Sequence, residues 1–215
     1  MKKVITTILL FCMVCMSSGA QEFRAGMAVG MNVNSPSYFD TFAGYNVGLR
    51  GEVSFNGMES GAIFDLGLLL SDKGWRYKFG EMASIDTYGV RDVRLKAHPT
   101  YLDIPLHAGY RWQVSPKLRL FASAGPTIGI GLFGKEKMTY ESAGGHRNSR
   151  TLVDNVFDNT MERLDVALGY RVGMEFKHEI QLSVSQDWGL RNFDKGSSDI
   201  KIRNRSFSLG LTFMF

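Results

Sequence analysis

The residues whose types suit chemistry fall into a few groupings, and none completes its pattern. Asp103 and His107 share one face of an alternating stretch, a carboxylate and an imidazole of the kind that opens an acid–base pair. On an extended strand, residues four apart stand about 13 Å apart. That is too far for a shared proton, and His107 reads instead as a hydrogen-bonded interior histidine. Gly129-Ile130-Gly131-Leu132-Phe133-Gly134-Lys135 matches most of a phosphate-cradling loop. Glu136 follows where a Ser or Thr must hold magnesium, and no apolar helix comes after it, so the glycines read as small residues in crowded packing. His98, His146 and His178 sit near loops or turns without ligand spacing. The expectation is a non-enzymatic chain with no catalytic, cofactor-binding or metal-binding residue.

The elements that would carry these residues alternate with period two. Apolar side chains take one parity and polar or small ones the other in stretches at 23–34, 45–55, 64–71, 100–114, 118–132, 164–176, 180–190 and 206–215. The stretch at 64–71 alternates least cleanly, because Ile63 and Leu69 fall on its polar parity. Pro105 and Pro126 cannot donate to a ladder, which predicts bulges beside them. Residues 72–97 read as a polar segment with hints of strand near 87–95 that would project beyond a membrane, and 134–160 as the longest irregular loop. Connections alternate between long (35–41, 72–99, 134–161, 191–204) and short (56–61, 114–117, 177–179), the asymmetry of an outer-membrane barrel with its short turns on the periplasmic side.

The inward parity decides what such a barrel contains. It carries Arg24, Arg50, Arg111, Arg119 and Arg171 with Glu52, Asp65, Asp103, Asp165, Glu175 and Asp187, and His107 among them. Eight strands leave a lumen that side chains fill, so these groups are expected to form a paired polar core instead of lining a pore. Arg171 is expected to compensate a nearby carboxylate such as Asp165 or Glu175. Phe23, Phe55, Trp112, Phe176 and Phe215 fall on the outward parity at the short-turn end, with Tyr45 and Trp188 toward the other rim, where aromatic girdles belong.

Both ends of the chain agree with export. Lys2 and Lys3 precede an apolar run to about Met16, and Ser17-Ser18-Gly19-Ala20 supplies the small residues of a cleavage site between Ala20 and Gln21. The expected organisation is a signal peptide at 1–20 and one barrel domain at 21–215. Cys12 and Cys15 lie in the removed segment, so the exported chain uses no disulfide. Without Lys2 and Lys3 the basic count falls from 25 to 23 against 21 acidic residues, a net charge of +2, and no basic tract suggests nucleic acid. No apolar run of helix-spanning length follows residue 20. Phe207, Leu209, Leu211, Phe213 and Phe215 share one face of the final stretch, which resembles the closing strand of a bacterial outer-membrane barrel, whose terminal Phe is part of the signal read by the barrel-assembly machinery.

The residues at 70–74 ending in Lys-Gly, the segment Tyr101-Leu102-Asp103-Ile104-Pro105-Leu106, the Gly125-Pro126 strand and the terminal Phe carry a family resemblance. The chain resembles the PorT-like outer-membrane β-barrel family common in Bacteroidetes. The resemblance implies an eight-stranded antiparallel up-and-down transmembrane β-barrel, integral to the outer membrane, and some relatives serve secretion of other proteins. The expected role is an envelope anchor or accessory acting through its extracellular loops, including Trp75, Tyr77, Tyr88 and Tyr140. Its expected partners are outer-membrane lipid, the assembly machinery and an envelope or secretion protein. A small-solute channel and a soluble ligand-binding barrel with its apolar face inward are the alternatives.

Overall fold

The computed structural model describes residues 22–55, 60–78, 90–142, 146–192, 195 and 201–215. The cleavage residues Ala20 and Gln21, and Tyr88, lie outside the described residues. The strands are β1 (Glu22–Asn34), β2 (Phe42–Ser54), β3 (Gly61–Asp72), β4 (Trp75–Lys78), β5 (Val90–Ser115), β6 (Leu118–Ser142), β7 (Arg147–Val153), β8 (Leu164–Phe176), β9 (Ile180–Gly189) and β10 (Arg205–Met214). A single-turn helix α1 (Val156–Asn159) follows β7, its first turn capped by the Asn155 side chain.

Every pairing is antiparallel, and eight of the strands close a ring in the order β5-β3-β2-β1-β10-β9-β8-β6, with β6 returning to β5. The seam joins the ends of the chain: β1 pairs β10 from Gly26 with Met214 to Asn34 with Ser206. The remaining strands, β4 and β7, stand outside the ring. They pair the overhanging ends of β5 and β6, making a four-stranded sheet β4-β5-β6-β7 that rises beyond the barrel on the side of the long connections.

This extension corrects the expectation of an irregular 134–160: β6 runs on to Ser142, and β7 and α1 occupy most of the remainder. Its sequence is polar because both edges and one face of a projecting sheet meet water, and that composition reads as loop when the partner strands are unknown. The predicted bulges at the prolines are also corrected. Register is kept past Pro105 and Pro126, and the irregularities fall at Arg91/Arg94, Thr100/Tyr101, Gln113/Ser115 and Glu136/Lys137. Leu66 pairs Leu106 and Leu69 pairs Asp103 with no bridge between, so a missing donor is absorbed by a gap in the ladder without an inserted residue.

The alternation resolves as expected. Met27, Val29 and Met31 of β1, Leu168 and Val172 of β8, and Leu209, Leu211 and Phe213 of β10 face outward and exposed, while Arg24, Glu52, Asp65, Arg171 and Glu175 are buried in the lumen. A soluble barrel with its greasy face inward is thereby removed. Phe23, Trp112, Phe176 and Phe215 stand exposed at the short-turn end and Tyr45 and Trp188 toward the other. The tight turn at Lys177 and His178 places both residues at positive φ (48° and 67°), the twist that two-residue hairpins favour. Arg24 donates to the His178 carbonyl at 2.9 Å, which fixes this turn without the usual Asn-Gly.

Candidate functional site

The lumen is organised as three linked clusters. Nearest the short turns, Arg24 reaches Glu52 at 2.6 Å and Glu175 at 2.8 Å, Arg111 also pairs with Glu52, and Arg119 with Glu175. Gln181 donates to Glu175 at 2.7 Å, so this carboxylate, fully buried, is held from three strands besides its own. In the middle cluster, Asp65 accepts from Arg171 at 2.8 Å and from Arg50 at 3.1 Å. The Arg171 guanidinium lies over the Phe121 ring at 4.6 Å and donates to Gln181 at 2.9 Å. Gly173 leaves room for that ring, since a Cβ there would stand 2.6 Å from Phe121.

The outer cluster is built on Lys73. Its ammonium meets Asp103 at 2.7 Å and Asp165 at 3.7 Å and lies 5.0 Å from the centre of the Tyr101 ring, and Asn204 donates to Asp165 at 2.9 Å. Asp187 accepts from Thr127 at 2.9 Å, and the Thr127 hydroxyl is 3.5 Å from the His107 ring. Asp103 and His107 therefore serve separate partners. Between the outer and middle clusters remains a cavity of about 40 Å³ touching Asn32, Asn46, Lys73, His107, Asp187 and Ser208, room for a few waters.

The twelve residues of the expected interior set face the lumen, where each has a partner or, for His107, lies in contact range of one. Two points go beyond the sequence reading. The partner of Arg171, which alternation leaves open, is Asp65 of β3, across the lumen; Asp165 and Glu175 of its own strand stand about 13 Å or more away along the strand. Lys73, read as part of a loop, is a buried interior cation, which brings the network to six basic groups (Arg24, Arg50, Lys73, Arg111, Arg119, Arg171) against six carboxylates. The signal was available: Leu69, Ser71, Lys73 and Trp75 continue one inward parity through the end of β3.

Above Lys73 the outer mouth is filled. Trp75, Ala97, Tyr101, Val156, Phe157 and Met161 form a buried apolar cluster against which Phe39, Leu95 and Ile202 pack. Each long connection contributes: Phe39 from 35–41, Trp75 from β4, Val156, Phe157 and Met161 from the segment around α1, and Ile202 from the approach to β10. Lys195 ties the last two together, its ammonium donating to the Phe157 carbonyl at 2.8 Å. Gly131 is required by this packing, since a Cβ there would stand 2.3 Å from the Phe157 ring. Trp75 is thus an interior residue and not a contact surface, a correction that follows from its burial in this cluster with the Phe39 ring 4.4 Å away. Tyr77 is exposed and Tyr140 half-buried. On the projecting sheet, burial raises the Glu136 carboxyl above its usual range, and the hydrogen bond from Arg94 lowers that of Asp92. Among the described residues, no grouping of His, Cys, Asp and Glu has the form of a metal site.

Solved structures of similar fold include Ail, the attachment invasion locus protein of Yersinia pestis (16% identity, 90% of this chain and 99% of that chain, TM-score 0.36). They also include neisserial surface protein A, NspA (12% identity, 91% and 99%, TM-score 0.38), and the N-terminal β-barrel domain of Pseudomonas aeruginosa OprF (14% identity, 90% and 100%, TM-score 0.29). Comparison with curated proteins gives no match. A family model matches residues 19–195, and the chain belongs to the outer membrane protein beta-barrel domain family, a protein integral to the outer membrane.

Proposed function

We propose that the protein is a closed, non-enzymatic outer-membrane anchor or accessory whose working surface is the projecting β4-β5-β6-β7 sheet and the connections around it. The observation that carries this reading is the filled mouth: all four long connections meet in one apolar cluster above an interior whose buried charges are matched. A lumen with a cavity of about 40 Å³ supports a barrier more than a solute path. The PorT-like resemblance extends the proposal to an envelope or secretion protein as partner. The exposed face of Phe207, Leu209, Leu211, Phe213 and Phe215 supports contact with lipid and with the assembly machinery during insertion. Single-channel recording on the purified protein tests the reading. The expected trace is flat, and stable conductance steps that disappear when Arg111 or Asp103 is replaced would make the protein a small channel.

A further inference from the structure

The projecting sheet has two faces of opposite character. The inward one carries Trp75, Ala97 and Glu136 opposite one another and closes over the mouth. On the outward one, cross-strand partners are cations: Arg76 faces Lys96, which faces Lys137, and one step further out Lys78 faces Arg94. Lys135 sits one step closer to the barrel. Directly opposed side chains in an antiparallel pair lie about 5 Å apart, and like charges there repel. Among the described residues, the compensation is partial. Asp92 binds Arg94 and also attracts Lys78, Glu141 acts on Arg94 from further along β6, Arg76 donates to the Thr41 carbonyl at 2.8 Å, and Asp154 is 3.8 Å from Lys135 with both side chains largely in water, while no ion pair of Lys96 or Lys137 is described. A chain with a net charge of only +2 after export concentrates positive charge on this one surface.

The position of the face identifies what offsets the repulsion. Along β5 the outward parity runs Trp112, Tyr110, Ala108, Leu106, Ile104 and Leu102 before it reaches Lys96. The ten residue steps from Trp112 to Leu102 span about 33 Å of strand, or about 25 Å along the normal at the usual tilt, which is the height of an apolar band. On β6 the outward residue below Lys135 is Phe133, 60% exposed. Lys96 and Lys137 therefore occupy the same side of the wall as the lipid-facing residues, roughly 10 to 15 Å beyond Leu102 and Phe133 at the same rise and tilt, with Lys135 nearer and Arg94 farther out, in the sugar and phosphate layer of the outer leaflet.

We propose that the outward face of the β4-β5-β6-β7 sheet binds the phosphate groups of outer-leaflet glycolipid. Arg76, Lys96 and Lys137 form a row across three strands, and Lys78, Arg94 and Lys135 flank it. Phosphate oxygens that bridge neighbouring cations turn opposed like charges into a shared contact. The apolar wall directly beneath receives the acyl chains of the same molecule. This site rests on the location of the barrel and not on whether its lumen conducts.

The test uses the full mature chain refolded into nanodiscs of phosphatidylcholine containing bisphosphorylated lipid A, with retained lipid A counted by native mass spectrometry. In K96Q/K137Q the affinity is expected to fall about 25-fold, at about fivefold per lysine beside an anionic surface. Arg150→Gln, at an exposed residue opposite Met138 on the other face of the same sheet, is expected to leave it unchanged. Folding of each variant is read separately from its heat-modifiable gel mobility in phosphatidylcholine alone. Should the double variant not fold, Lys96→Gln and Lys137→Gln alone are each expected to show the fivefold step. Equal lipid A retention by wild type and K96Q/K137Q overturns the proposal, as does equal retention of dephosphorylated lipid A. Tighter binding of soluble dextran sulfate, uncompeted by lipid A, overturns it in favour of a free polyanion.

Discussion

Arg171→Ala measures how much the interior network contributes. The substitution removes three hydrogen bonds, to Asp65 at 2.8 Å, to Gln181 at 2.9 Å and to Thr212 at 3.5 Å, together with the stack over Phe121 at 4.6 Å. Breaking a buried ion pair costs about 3–5 kcal/mol, but Asp65 keeps Arg50 at 3.1 Å, which draws the loss toward the lower bound. Losing the stack adds about 1 kcal/mol, and water entering the space left by the side chain returns part of the total. The expected destabilisation is therefore about 3 kcal/mol. Urea unfolding of the protein refolded in detergent, followed by tryptophan fluorescence and by heat-modifiable gel mobility, reads it directly. A double-mutant cycle with Asp65→Asn should show a coupling of about 1–3 kcal/mol, and one with Asp165→Asn, whose partners are Lys73 and Asn204, should be additive within about 0.5 kcal/mol. An unchanged midpoint for Arg171→Ala, or a larger coupling to Asp165 than to Asp65, would refute the pairing.

Lys73→Met keeps the stem and removes the ammonium from Asp103 and Asp165, and should destabilise the same transition by about 3 kcal/mol, with partial recovery when Asp103→Asn is added. Deleting Phe215, whose backbone N–H bonds the Ala25 carbonyl at 2.8 Å and whose ring is exposed at the short-turn rim, should lower the folded, heat-modifiable protein in outer membranes several-fold, while His146→Ala leaves it unchanged. Equal levels of the two would remove any special role for the terminal residue.

Period-two alternation made the faces readable, and with them the ring, the aromatic rims and the interior set of arginines and carboxylates, because a strand in a barrel has only two environments. Alternation says which side a residue takes but not which strand stands across the lumen, so Arg171 could be assigned to the interior and not to Asp65. Lys73 and Trp75 continued the inward parity of β3 past Ser71, yet the surrounding Asp72, Gly74 and Arg76 gave the stretch the composition of a loop. The apolar cap was illegible for a related reason. Phe39, Trp75, Phe157 and Ile202 lie in short, mostly polar stretches with no sustained period-two run, and they meet in one cluster only when the long connections converge. Phe121 sat on the inward parity between Arg119 and Ser123, and its purpose appears only once β8 brings Arg171 over it.

The β1–β10 seam sets the order in which the barrel can be made. Its paired residues are separated by 172 positions at Asn34 with Ser206 and by 188 at Gly26 with Met214, whereas β5 and β6 meet across a two-residue turn. Contacts so distant in sequence form slowly, and hairpins such as β5–β6 form early. Until β10 arrives, β1 is a bare edge whose donors and acceptors have no water to satisfy them in hydrocarbon. Insertion into lipid therefore requires that this edge be held, by a surrogate strand or by staying outside the bilayer, until the final ten residues are delivered to it.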